Sequence, residues 1–233
     1  MATFILVPGG GGDAWDWHRL VPELERLGHR AIAVTLPAAD DAAGWAEYAD
    51  VIAAAGGTPN DRVVVAHSLG GFSASLACDR MRVELLVLLN ATVPRPGETG
   101  AQWGADVGSA EAQREYLREI GLSAADAEDD EILYYHDVPA QVVQEARRRQ
   151  PHQSWTPMTQ PWPLTAWPDV PTRVLAGRDD RLFPARFQRR VARERLGIEA
   201  DEMDGGHMLA LSRPAQLAAR LEDYRREAAR RPA

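Results

Sequence analysis

The chain has 233 residues, 45% of them hydrophobic, with one cysteine and a formal charge of −8; all 26 Lys/Arg positions are arginine. That length suffices for one domain with a substantial core, no apolar run approaches membrane-spanning length, and an acidic balance without a basic stripe argues against a nucleic-acid partner. The lone Cys78 cannot form an internal disulfide, and Met1-Ala2-Thr3 lacks a basic leader, so a cytoplasmic location is expected.

The first apolar run, 3–7, predicts a strand that empties into Pro8 and four glycines, Gly9 to Gly12. Ala14-Trp15-Asp16-Trp17 then opens a helix over 15–27, followed by a strand at 31–35 and a helix at 45–55. The run Val63-Val64-Val65, in a strand over 62–66, passes directly into Ala66-His67-Ser68-Leu69-Gly70-Gly71 and a helix over 69–80. A serine at so sharp a strand-to-helix turn is held in a sparsely populated backbone conformation, which demands small residues two before and two after it. Ala66 and Gly70 meet that demand, although the usual pattern begins with glycine.

A strand at 84–89 follows, and from Pro94 to Pro168 the alternation breaks. Helical stretches at 110–120, 124–135 and 139–150 give way there to a segment dense in Pro and Trp. Alternation resumes with a strand at 172–176, the turn Arg178-Asp179-Asp180, a helix at 185–196, a weaker strand at 198–202, Asp204-Gly205-Gly206-His207, and a helix at 214–229. Strands alternating with helices imply an α/β fold with about six mostly parallel strands.

A serine hydroxyl near pH 7 is a weak nucleophile; it needs a base within hydrogen-bond reach and a third group to orient that base. Ser68 is the candidate nucleophile and His207 the candidate base. His67 lies inside the turn motif, but its side chain is expected to point away from a cleft above Ser68. His18, His29, His136 and His152 have no matching partners, and no His, Cys or carboxylate spacing suggests a metal site. No cofactor is expected.

Together these segments resemble the α/β-hydrolase superfamily, and within it the small esterases of the plant methylesterase and hydroxynitrile lyase-like group. The likeness rests on Phe4-Ile5-Leu6-Val7-Pro8-Gly9-Gly10, Ala14-Trp15-Asp16-Trp17, the Ser68 turn, Thr159-Gln160-Pro161-Trp162-Pro163 and Gly205-Gly206-His207-Met208. It implies a serine esterase of small or medium carboxylic esters, with Asp180 as the acid of the triad and Asp179 its alternative. It also implies Gly10 and Leu69 N–H groups as oxyanion donors, a core over 1–93 and 169–233, and a lid over 94–168. Pro8 stands where the family usually has histidine, and the glycine-rich loop after it is expected to be loose. Trp103, Trp155 and Trp162 are candidate pocket residues, serving equally well to glue a lid to the core. Hydroxynitrile lyase chemistry is the alternative, weakened because Met208 replaces the lysine those lyases use; a binding protein that has lost turnover is another.

Overall fold

The computed structural model describes residues 1–56, 61–149 and 152–230. Its strands are β1 (Thr3–Val7), β2 (Arg30–Ala33), β3 (Arg62–His67), β4 (Leu85–Leu89), β5 (Thr172–Gly177) and β6 (Asp201–Met203). They form one parallel sheet in the order β2-β1-β3-β4-β5-β6. The helices are α1 (Val21–Arg26), α2 (Trp45–Ala55), α3 (Gly70–Arg80), α4 (Gly100–Asp106), α5 (Ser109–Glu119), α6 (Asp130–Tyr134), α7 (Ala140–Arg149), α8 (Thr156–Thr159), α9 (Ala185–Leu196), α10 (Leu209–Ser212) and α11 (Pro214–Ala229).

The central strands read as unbroken apolar runs because both sheet faces are covered. Ile5, Val64, Leu86 and Val174 pack on one face with side chains of α2, α3 and α9. Phe4, Val63, Leu85 and Leu175 pack on the other with α1 and α11. Parallel pairing brings the C-terminal ends of β1, β3, β4 and β5 to one edge, the usual place for a site in such sheets.

Two elements depart from expectation. The helix foreseen over 15–27 is instead a 3-10 turn, Ala14–Trp17, followed by α1. Pro22 has no N–H and its ring would clash with the carbonyl four residues earlier, so the helix begins afresh around it. The last strand, expected over 198–202, pairs with β5 only at Asp201–Met203. Gly197 ends α9 in a left-handed conformation, and Ile198 and Ala200 then pack against the core beneath the connection.

The segment between β4 and β5 is largely helical, and α5, α6 and α7 fall within the foreseen stretches; position 150 lies outside the described residues. A buried ion pair ties this segment to α9. The Arg195 guanidinium meets both Glu98 carboxylate oxygens, at 2.5 and 2.7 Å, with side chains 2% and 5% exposed. Removing one partner strands the other charge in the interior, at a cost of about 3–5 kcal/mol. Glu98→Ala is therefore expected to lower the unfolding free energy by that much, seen as a fall in the urea midpoint at unchanged slope. Breaking the exposed Arg193–Glu199 pair with Glu199→Ala should leave the midpoint unmoved.

Candidate active site

β3 ends at His67, and Ser68 takes φ +50° before α3 begins at Gly70. The chain is so tightly folded there that side chains are excluded around it. A Cβ on Gly70 would lie 2.5 Å from the Pro8 carbonyl oxygen, and one on Gly71 2.0 Å from that of Thr92. The Ser68 carbonyl accepts from the Thr92 N–H and hydroxyl, at 3.0 and 3.1 Å. Those bonds hold the turn in its unfavourable region.

After β5, the turn carries Asp180 inward, and after β6 the Gly205-Gly206 turn carries His207 to meet it. His207 Nδ1 donates to Asp180 Oδ2 at 2.9 Å, with both side chains at most 1% exposed. A buried carboxylate is tolerable only when its oxygens are satisfied. Asp180 Oδ1 accepts from the Leu182 and Phe183 N–H groups, both at 2.9 Å, and Oδ2 also from Gln188 Nε2 at 3.3 Å. Asp179 turns the other way, accepting at 3.2 Å from the Gly205 N–H. Of the two neighbours, Asp180 is the one that touches the imidazole.

A hydrogen bond from Nδ1 to a carboxylate fixes the tautomer, leaving the Nε2 lone pair available. Nε2 is buried with no hydrogen-bond partner among the described residues. His207 and Ser68 line one cavity of about 690 Å³, together with Gly10 and Leu69. The N–H groups of Gly10 and Leu69 donate to no described group. The arrangement therefore offers, around one space, a hydroxyl, an available imidazole nitrogen and two unspent backbone donors. Among the described residues no group of three His, Cys, Asp or Glu is placed to hold a metal ion.

The model of the alpha/beta hydrolase family matches residues 4–220. The chain belongs to this family. It is 39% identical over 109 residues to the probable esterase PIR7A of Oryza sativa subsp. indica, and 33% over 108 residues to polyneuridine aldehyde esterase of Rauvolfia serpentina. Each alignment covers 41% of this chain, which thus spans about two fifths of the length of these relatives. In three dimensions the likeness is nearly complete. The crystal structure of polyneuridine aldehyde esterase superposes with a TM-score of 0.74 at 20% identity, covering 96% of this chain and 99% of that one.

Within this family member the glycine-rich loop after β1 is tied down. Gly11 N–H donates to Gln153 Oε1 at 3.1 Å, and Gly12 N–H to the Gly9 carbonyl at 3.1 Å. Gln153 comes from the segment between β4 and β5 and also donates to the Tyr48 hydroxyl at 3.2 Å. The looseness expected of four glycines is absent because a distant side chain takes up the loop's donor. Gly9 itself passes so close to the turn that a Cβ there would meet Ser68 Cβ at 2.9 Å.

Asn90, one residue past β4, is a junction that no motif marks. Its amide nitrogen donates to the Gly206 and His207 carbonyls at 3.1 and 2.9 Å, and its oxygen accepts from the Gly177 N–H at 2.6 Å. It joins β4, β5 and the histidine turn; its position just past a strand's C-terminal end was the available signal. Asp16, Tyr134 and Tyr135 also line the cavity. The tryptophans do not. Trp103 is buried against Phe183 and Phe187 and donates to the Val93 carbonyl at 3.1 Å, Trp162 is buried and stacks on Trp167, and Trp155 is 65% exposed. Trp103 and Trp162 attach the segment to the core rather than forming cavity wall.

His67, expected to point away from the cleft, is buried behind it with its edge on the cavity. Its Nε2 lies 3.0 Å from the His207 carbonyl oxygen, which can only accept, so that nitrogen carries the proton. Burial, reinforced by the charge His207 would carry, holds the His67 pKa down to about 3. The unfolded chain binds this proton from about 6.5 downward and the native protein does not, so His67 costs stability progressively as pH falls from 6.5 towards 3. In nitrogen-15 histidine spectra His67 should remain the neutral Nε2–H tautomer down to about pH 4; a cationic His67 at pH 6 would contradict the geometry.

Proposed function

We propose that this protein is a carboxylic ester hydrolase that works through an acyl-enzyme on Ser68. The carrying observation is the fully buried Asp180–His207 pair, whose unpartnered Nε2 shares a cavity with Ser68. In this reading Ser68 Oγ attacks the ester carbonyl carbon as His207 Nε2 takes its proton. The tetrahedral oxyanion accepts from the Gly10 and Leu69 N–H groups, worth about 3 kcal/mol per donor. His207 then protonates the departing alcohol, and a water activated by the same nitrogen releases the acid. Asp180 stays ionised throughout, orienting the ring and stabilising the imidazolium.

Residues 94–168 act as a lid in this reading, since Asp130, Tyr134, Tyr135 and Gln153 from that segment wall the cavity. A lid excludes water and shapes the pocket. The esterase names of the relatives support ester cleavage, and the single cysteine fits a reducing cytoplasm.

A fluorophosphonate probe should label wild type on Ser68 and leave folded Ser68→Ala unlabelled; unlabelled, folded wild type would overturn the proposal. Asp180→Asn reverses the hydrogen-bond demand on Nδ1 and should lower ester turnover by about ten-thousand-fold. Asp179→Asn should stay within a few-fold of wild type, because that carboxylate meets a backbone N–H and not the imidazole. Steady-state kinetics on p-nitrophenyl acetate would separate the two.

A further inference from the structure

The wall of the cavity beside His207, whose ring meets that of Tyr134 edge-on at 5.4 Å, is charged in a one-sided way. Asp16 is half-buried and lines the cavity, and its carboxyl forms no hydrogen bond or ion pair with any described residue. Asp130 is a second carboxylate on the same cavity, and the Tyr134 and Tyr135 rings stand with them. No arginine lines this cavity among the described residues, in a chain whose every fixed side-chain cation is arginine. The nearby candidate, Arg149, is engaged elsewhere: its Nε lies 2.6 Å from Asp13 Oδ2, and its guanidinium sits over the Trp15 ring. A carboxyl partly withdrawn from water with no counterion in contact leaves a ligand's charge to meet it, and aromatic rings lining the same cavity suit a weakly hydrated cation.

We propose, resting on the ester hydrolase reading, that the substrate bears a positively charged alkylammonium group, held by Asp16 against the Tyr134 and Tyr135 rings. The charge is supplied by the ligand because the protein supplies none there. Asp130, at the exposed end, adds attraction from solvent without needing to be desolvated.

The state of Asp16 follows from what surrounds it. Burial, with the Asp13 carboxylate on the same turn, pushes its pKa up to about 7, while Arg149 from α7 and His207 pull in the opposite direction. Tyr135 at the end of α6 also faces it, and the neutral His67 and Trp17 share a small adjoining void with it. Asp16 therefore ionises as pH rises through about 7. Cation selectivity should rise with it.

The test compares isosteric ester pairs that differ only in charge. Acetylcholine against dimethylbutyl acetate places the cation on the alcohol, and methyl trimethylammoniobutyrate against its tert-butyl-terminated carbon analogue places it on the acyl group. Wild type should favour the cationic member of at least one pair by about tenfold in kcat/KM at pH 8. Because the ammonium does not titrate and both members use the same triad, the ratio should grow between pH 6 and pH 8. In Asp16→Asn the ratio should fall towards one and lose its pH dependence; the wild-type pH series decides the matter should that variant fail to fold. Ratios near or below one in both pairs, or a preference unmoved by Asp16→Asn, overturn the cation site. Ser68-dependent cleavage of the neutral members would then leave the hydrolase reading standing, whereas no cleavage of any member, with Ser68 unlabelled, sinks both.

Discussion

A serine held at φ +50° is unfavourable by about 1–3 kcal/mol and persists only where its surroundings over-determine it. Here three segments do so. β4 supplies the Leu89 carbonyl to the Ser68 N–H, the residues after β4 supply two Thr92 donors to the Ser68 carbonyl, and the glycine loop after β1 closes over the top. Each contact needs a neighbour without a side chain, at Gly9, Gly70 or Gly71. The turn brings Ser68 and Leu69 to the cavity wall, and the Leu69 N–H takes no part in the sheet ladder.

The opposite half of the site is built by a different device. His207 rides on a turn after a three-residue edge strand, a weak support for a group that must be placed to a fraction of an ångström. What fixes it is polar: Asn90 and His67 both donate to its carbonyl, from the ends of β4 and β3. The strand ends that hold the Ser68 turn therefore also hold His207, which couples the positions of the two residues. Burial keeps His67 neutral there, so the junction places no positive charge beside the His207 ring.

What could be read from the chain divides along the same line. The strands were legible because burial on both sheet faces leaves long apolar runs, and Ser68 and His207 because strained or glycine-flanked turns constrain their neighbours in sequence; Asp180 followed only from the family resemblance, with Asp179 beside it as the alternative. Asn90, Gln188 and Gln153 were not legible. An amide carries no periodicity; Asn90 and Gln153 act on partners 87 to 142 positions away, and Gln188, 8 positions from Asp180, joins a buried cluster with Asn90 that no local pattern marks. The two readings of the tryptophans stayed open for a related reason: composition shows that large rings are present, while the side of the segment on which they fall depends on packing with Phe72, Phe183 and Phe187. The break at Pro22 was visible in principle, and the helical pattern of its neighbours hid it.

The buried acid explains why this architecture tolerates a full charge beneath a cavity. Asp180 has four donors on its two oxygens, two of them backbone N–H groups at the start of the following turn and one the amide of Gln188 on α9. Backbone donors cannot rotate away or be protonated, so the carboxylate is stabilised before any substrate arrives, and its remaining strong interaction is directed at Nδ1. Asp16 presents the contrary case: a half-buried carboxyl that lines the cavity and has no donor among the described residues. One aspartate is satisfied by the fold and directed at His207, and the other is left facing the cavity, which is the ground for proposing that it meets a ligand.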